Sequence, residues 1–200
     1  MNPRRTILIW TCLSIAAFSA DELFQPGKAS SYPSRQTGQG TVAAGVVYGT
    51  EDQVKTPFGK TNPNKYGVLP VLFLIENSGK KSLDLRRMKV QIISTDRHKV
   101  DMIPANEVKY LQSPKRPNMT KPAPPVPGLG RKKNPLAAEE IETRAFSAPM
   151  LAPGDAAHGF FYFRAEPGRA ASLYVTGIVE TGTSKELFYM DIPLAEAGKQ

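Results

Sequence analysis

The run VLPVLFLI, Val68 to Ile75, is apolar on both parities, as a strand covered on both faces requires. Pro70 has no N–H to donate to a ladder, so it is expected at the start of this strand or at an edge position. Asn77, Ser78 and Gly79 then supply side-chain turn bonds and a permissive backbone, which predicts a turn. Beyond it, apolar and polar positions alternate. Leu83 and Leu85 interleave with Asp84 and Arg86, and Met88, Val90 and Ile92 interleave with Lys89 and Gln91. The pattern predicts strand, turn, strand, with a bend near Arg86 and Arg87.

Similar segments flank this unit. TVAAGVVYG, starting at Thr41, has the small and β-branched residues of a first strand, and TPFGKTNPNKYG after it is expected as a turn-rich loop. Towards the C-terminus, LAPGDAAHGFFYFRA predicts a Pro-Gly turn and a strand centred on Phe160 to Phe163. SLYVTGIVET predicts another strand, Thr181 to Ser184 a hairpin-like break, and KELFYMDIPL a last strand with Phe188, Met190, Ile192 and Leu194 on one parity and Tyr189 and Asp191 on the other. Short strands, frequent turns and the lack of a long amphipathic helix indicate an all-β, antiparallel sandwich. Phe160, Phe161, Tyr162 and Phe163 are consecutive, so two of them face away from the core of such a strand. The outward pair is expected beneath the region around Ile141 and Phe146; the alternative is an exposed face on which carbohydrate stacks.

Residues 104–153 break the β pattern. PANEVKYLQ allows a turn or two of helix, whereas SPKRPNMTKPAPPVPGLGRKK carries proline too often for regular structure. In NPLAAEEIETRAF, Asn134 suits an N-cap, Pro135 the first helical position, and Glu139 and Glu140 the early part of a helix. The region is expected as a proline-rich, partly helical insertion into a sandwich spanning residues 41–194.

The N-terminal residues MNPRRTILIWTCLSIAAFSA have a positive start at Arg4 and Arg5, an apolar stretch from Thr6 to Phe18 and a small-residue end at Ser19 and Ala20. Residues 1–20 are therefore expected to be a cleaved export signal, too short in its apolar part to span a bilayer. Arg4-Arg5 also partly fits a twin-arginine signal, leaving the route open. Residues 21–40, rich in Ser, Gly, Gln and Pro, are expected as a tether, and residues 195–200 as a tail. Cys12 is the sole cysteine, so cleavage leaves no thiol for a disulfide, a thiolate metal site or a nucleophile.

Several short motifs occur together: Glu76-Asn77-Ser78-Gly79-Lys80 after an apolar strand, Leu83-x-Leu85, Leu151-x-Pro153-Gly154, Gly159-Phe160-x-x-Phe163 and Leu173-x-Val175. In this combination the chain resembles bacterial extracellular immunoglobulin-like modules, secreted domains of unknown function. The resemblance covers most of residues 41–194 but skips the proline-rich insertion. It implies an immunoglobulin-like sandwich of about seven strands and an extracellular or periplasmic location, and brings no catalytic residues with it.

Charge adds a candidate surface. The chain carries a formal net charge of +8, which favours anionic partners. No Asp or Glu occurs from Val108 through Ala138, while Lys109, Lys115, Arg116, Lys121, Arg131, Lys132 and Lys133 do. Interleaved prolines would keep these charges extended, so Lys115 to Lys133 could track an anionic envelope polymer such as lipopolysaccharide, teichoic acid, an acidic polysaccharide or anionic lipid. The competing reading is a loop kept soluble by its charge. The prolines could also face another envelope protein or serve as a spacer. Tyr110 alone is too thin a stacking platform for specific nucleic-acid recognition.

Catalytic and metal chemistry find less support. His98 and His158 lack metal-spaced neighbours; a periplasmic copper carrier recruiting Met88, Met102 or Met150 is the alternative function. Asp84, Asp155 or Asp191 with a histidine and Ser147 would make a hydrolase triad, but no nucleophile elbow is present. Adjacent Glu139 and Glu140 diverge on a helix and do not form a carboxylate pair. The expectation is an exported, non-catalytic binding or structural module of the cell envelope, without a cofactor and without a stable transmembrane span once the signal is removed.

Overall fold

The computed structural model describes residues 24–112, 134–183, 185–187 and 189–196. The strands are β1 (Arg35–Gly38), β2 (Thr41–Val47), β3 (Leu69–Asn77), β4 (Leu83–Asp84), β5 (Lys89–Ser94), β6 (Lys99–Ile103), β7 (Met150–Leu151), β8 (Ala156–Phe163), β9 (Ala170–Thr176), β10 (Val179–Glu180), β11 (Met190–Pro193) and β12 (Ala195–Glu196). Short helices α1 (Glu51–Phe58), α2 (Ala105–Val108) and α3 (Glu139–Thr143) punctuate them, together with single 3-10 turns. Among the described residues no helix is long and apolar enough to cross a membrane.

The fold is all-β and mostly antiparallel, as the alternation implies. The main sheet runs β1-β2-β3-β8-β6-β5-β9-β11, and β4 joins β10 and β7 in a small separate sheet. The main sheet bends because β6 changes partner along its length. Val100 and Asp101 pair with β5, whereas Met102 and Ile103 pair with β8. The two ends of the path then come back together. The Asp191 N–H on β11 donates to Gln36 Oε1 on β1 at 2.6 Å, and β12 pairs in parallel with β2 through Ala195 and Val46. The result is a sheet curled nearly into a barrel, which leaves fewer unpaired strand edges than an open sheet.

Period-2 alternation sorts the side chains into two cores. Ala43, Val71, Phe73, Ile75, Phe161 and Phe163 point inward and meet Val90, Ile92, Leu173, Val175, Met190 and Ile192 from the opposite wall. Ala44, Val46, Leu72, Leu74, Phe160 and Tyr162 point outward, beneath Val54 and Phe58 of α1, Val108 of α2, Leu136 and Ile141. β3 is therefore buried on both faces, as its unbroken apolar run requires, and Pro70 sits at its start. Each large side chain buried in this way contributes roughly 1.5–3 kcal/mol.

Three local features depart from the expectations. Structure starts before Thr41: Arg35–Gly38 pairs with β2, and Ala29 and Ser34 are buried. The stretch before TPFGK is helical and runs into it. Thr50 Oγ1 accepts from the Gln53 N–H while Gln53 Oε1 accepts from the Thr50 N–H, a reciprocal cap that overrides the proline at Pro57 near the helix end. The single helix expected after Asn134 is two elements, a 3-10 turn Pro135–Ala137 and α3.

Phe160 and Tyr162 do pack beneath the insertion, and the Tyr162 hydroxyl donates to the Ile141 carbonyl at 2.8 Å. Phe146 departs from the expected arrangement. It crosses the sheet edge and lies between Phe73 and Phe161 in the inner core, at ring distances of 5.4 and 5.3 Å. Gly159 permits the crossing: a Cβ there would stand 2.4 Å from Phe146 Cα. The Phe146 N–H donates to the Phe160 carbonyl, and the Phe160 N–H to the Arg144 carbonyl, so residues 144–146 serve as the next strand beside β8.

Candidate binding surface

The basic residues singled out from the sequence, Lys115, Arg116, Lys121, Arg131, Lys132 and Lys133, lie outside the described residues. The structure does place the two points where their segment leaves and rejoins the domain. The outgoing chain ends in a 3-10 turn, Lys109–Gln112, and the returning chain starts with the turn Pro135–Ala137 against it. One side chain ties the two together. Asn134 Nδ2 donates to the Lys109 carbonyl at 2.6 Å, while Asn134 Oδ1 accepts the Leu136 N–H at 3.0 Å. Val108 and Leu136, both buried in the outer core, hold this neck to the sheet.

The electrostatics of the neck differ from those of the segment it carries. Lys109 Nζ bonds Glu142 Oε1 at 3.0 Å, and this hydrogen bond and its charge raise the Lys109 pKa. The same ammonium lies 5.6 Å from the exposed Tyr110 ring. Lys109 is thus neutralised locally by an acid that follows the segment in sequence. The cations of residues 113–133 have no acid within their own stretch.

The other candidates are mostly kept apart. His98 lies in the β5–β6 turn, 3.7 Å from Asp96, beside a cavity of about 400 Å³ that it shares with Ser94, Arg164, Glu166 and Arg169. Within that lining Arg169 bonds Glu166 at 3.1 Å. His158 lies on β8 and lines a different cavity. Met102 and Met150 are exposed, and among the described residues no group of three or more His, Cys, Asp or Glu converges on one point. Asp84 is held by Arg86 at 2.6 Å, a bond that lowers its carboxyl to a pKa of about 2. Glu139 and Glu140 open α3, as expected from their place in the sequence. Of the suggested triad, Ser147 and His158 do line one cavity, but Arg144 stands with them and, among the described residues, no acid does.

Sequence reasoning missed an aromatic pair on the sheet face that the helices leave open. Tyr174 of β9 and Tyr189 lie 5.3 Å apart with rings inclined by 30°, and Lys99 lies over Tyr174 at 5.1 Å. The signal was the outward parity of Tyr174, which pairs with Asp191 across the ladder. Comparison with family models, with curated proteins and with solved structures finds no match to this chain.

Proposed function

We propose that the protein is an exported, non-catalytic binding module of the cell envelope, and that Lys115, Arg116, Lys121, Arg131, Lys132 and Lys133 contact an anionic polymer. The observation that carries this reading is the neck. The hydrogen bond from Asn134 to the Lys109 carbonyl joins two described residues that flank an acid-free basic segment, so the chain leaves for that segment and returns from it at one place on a packed layer. Holding the ends together lowers the entropy lost when the segment is ordered on a ligand. Export is supported by the N-terminal charge and apolar pattern of residues 1–20. Kinship with immunoglobulin-like modules belongs to the same proposal. It is supported by two antiparallel halves, β1-β2-β3-β8 and β5-β9-β11, enclosing a shared core.

The test is co-sedimentation with isolated cell envelopes at rising salt, using the protein and a variant with those six residues changed to Gln. Binding that salt weakens and the six changes abolish supports the proposal. Equal binding of both proteins transfers the contact to the sheet or helical surface. Absence of binding by either leaves the basic segment as a solvated loop and overturns the proposal.

A further inference from the structure

A second site stands on described residues alone. Between α3 and β8 lies a cavity of about 190 Å³ lined by Phe24, Thr143, Arg144, Ser147 and His158. Arg144 is fixed there by its backbone: its N–H donates to the Glu140 carbonyl at 3.2 Å, and its carbonyl accepts the Phe160 N–H at 2.8 Å. Its guanidinium lies 5.7 Å from the Phe24 ring, which shields one face of the group from water. Among the described residues, Arg144 Nε is buried without an acceptor and Arg144 takes part in no ion pair. A buried donor on a charged group that lacks an acceptor is costly. Among the described residues that line the cavity, the polar side chains Thr143, Ser147 and His158 can each donate a hydrogen bond, and none is acidic.

We propose that this cavity binds one carboxylate or phosphate group, with Arg144 as the principal contact and Ser147 and His158 as supporting donors. A guanidinium edge, with two N–H groups side by side, matches the two oxygens of either anion. The volume equals about six waters of bulk liquid, enough for one anionic group on a short carbon skeleton and too little for an extended polymer. The site is independent of the basic segment, and its occupancy does not require that segment to bind anything.

The experiment is a titration of the protein with inorganic phosphate, D-glucuronate and neutral glucose at constant ionic strength. It follows the Arg144 Nε–Hε resonance by NMR, assigned by its loss in Arg144→Lys. The expected result is a saturable shift with phosphate, glucuronate or both, and none with glucose. A response to phosphate alone assigns the site to phosphoryl ligands, and to glucuronate alone, to carboxylates. Arg144→Gln should bind at least about tenfold more weakly, because a charge-assisted bidentate contact is lost. Should that variant fail to fold, Ser147→Ala and His158→Ala, at exposed positions, should each weaken binding several-fold. An Arg144 signal unmoved by both anions, or affinities unchanged in the variants, overturns the proposal.

Discussion

Asn77 and Asn134 each use one amide to satisfy two stretches of backbone. Asn77 is buried; its Nδ2 donates to the Lys81 and Leu151 carbonyls and its Oδ1 accepts the Gly79 N–H. One residue thus closes the turn after β3 and ties it to the strand entering from the insertion. Its place in a turn is legible from Asn-Ser-Gly, but its partner at Leu151 is far away in sequence and leaves no local trace. Asn77→Ala strands three polar groups and should cost about 2–3 kcal/mol, read as a shift in the urea midpoint with an unchanged slope. Asp84 offers a pH probe. Its hydrogen bonds to Arg86 depress its folded pKa to about 2, below an unfolded value of about 4. A depressed carboxylate contributes stability that is complete above the unfolded value and is lost as pH falls from about 4 towards about 2. NMR titration should place the Asp84 carboxyl near the lower figure, and Arg86→Gln should move it upward. A normal value in the unaltered protein would contradict the pairing.

At the scale of elements, what the sequence makes legible is which faces are buried. β3 reads as covered on both sides and is; Met190 and Ile192 read as sharing a face and do, pointing into the inner core. The misses have specific causes. α1 was obscured by Pro57 and by the turn residues after it, although Thr50-Glu51-Asp52-Gln53 has the spacing of a reciprocal cap. Thr50→Ala should therefore cost about 1 kcal/mol, measured by thermal or chemical unfolding. β1 was hidden because RQTG has no apolar alternation; it is held through its ladder with β2 and by Gln36. The site at Arg144 was invisible for a different reason. Ser147 and His158 were each noticed, but only the parallel bridge of Ala145 to Phe160 brings residues 143–147 alongside β8.

On the scale of the whole molecule, the insertion is part of the fold as well as an appendage to it. Its two described arms supply Val108, Leu136 and Ile141, which with α1 cover the outer face of β2, β3 and β8. Ile141→Ala should lose about 2–5 kcal/mol, as a core truncation does, and calorimetry checks this. A loss of only a few tenths would mean that the arm merely rests on the sheet. The all-β, mostly antiparallel class was readable from strand periodicity, whereas the near-closure of the sheet was not. Alternation reports which side of a strand is buried but not which strand is its neighbour, and here β6 changes partners mid-strand.

If this scaffold presents the basic segment to a polyanion, as proposed, binding must depend on salt. Affinity for isolated envelopes, or for purified lipopolysaccharide or teichoic acid, would be measured across a range of salt for the protein and for stepwise Lys or Arg to Gln changes between Lys115 and Lys133. Affinity should fall steeply with salt, and each removed charge should flatten the dependence. Binding that ignores salt, or a slope that survives removal of all six charges, would contradict the proposal.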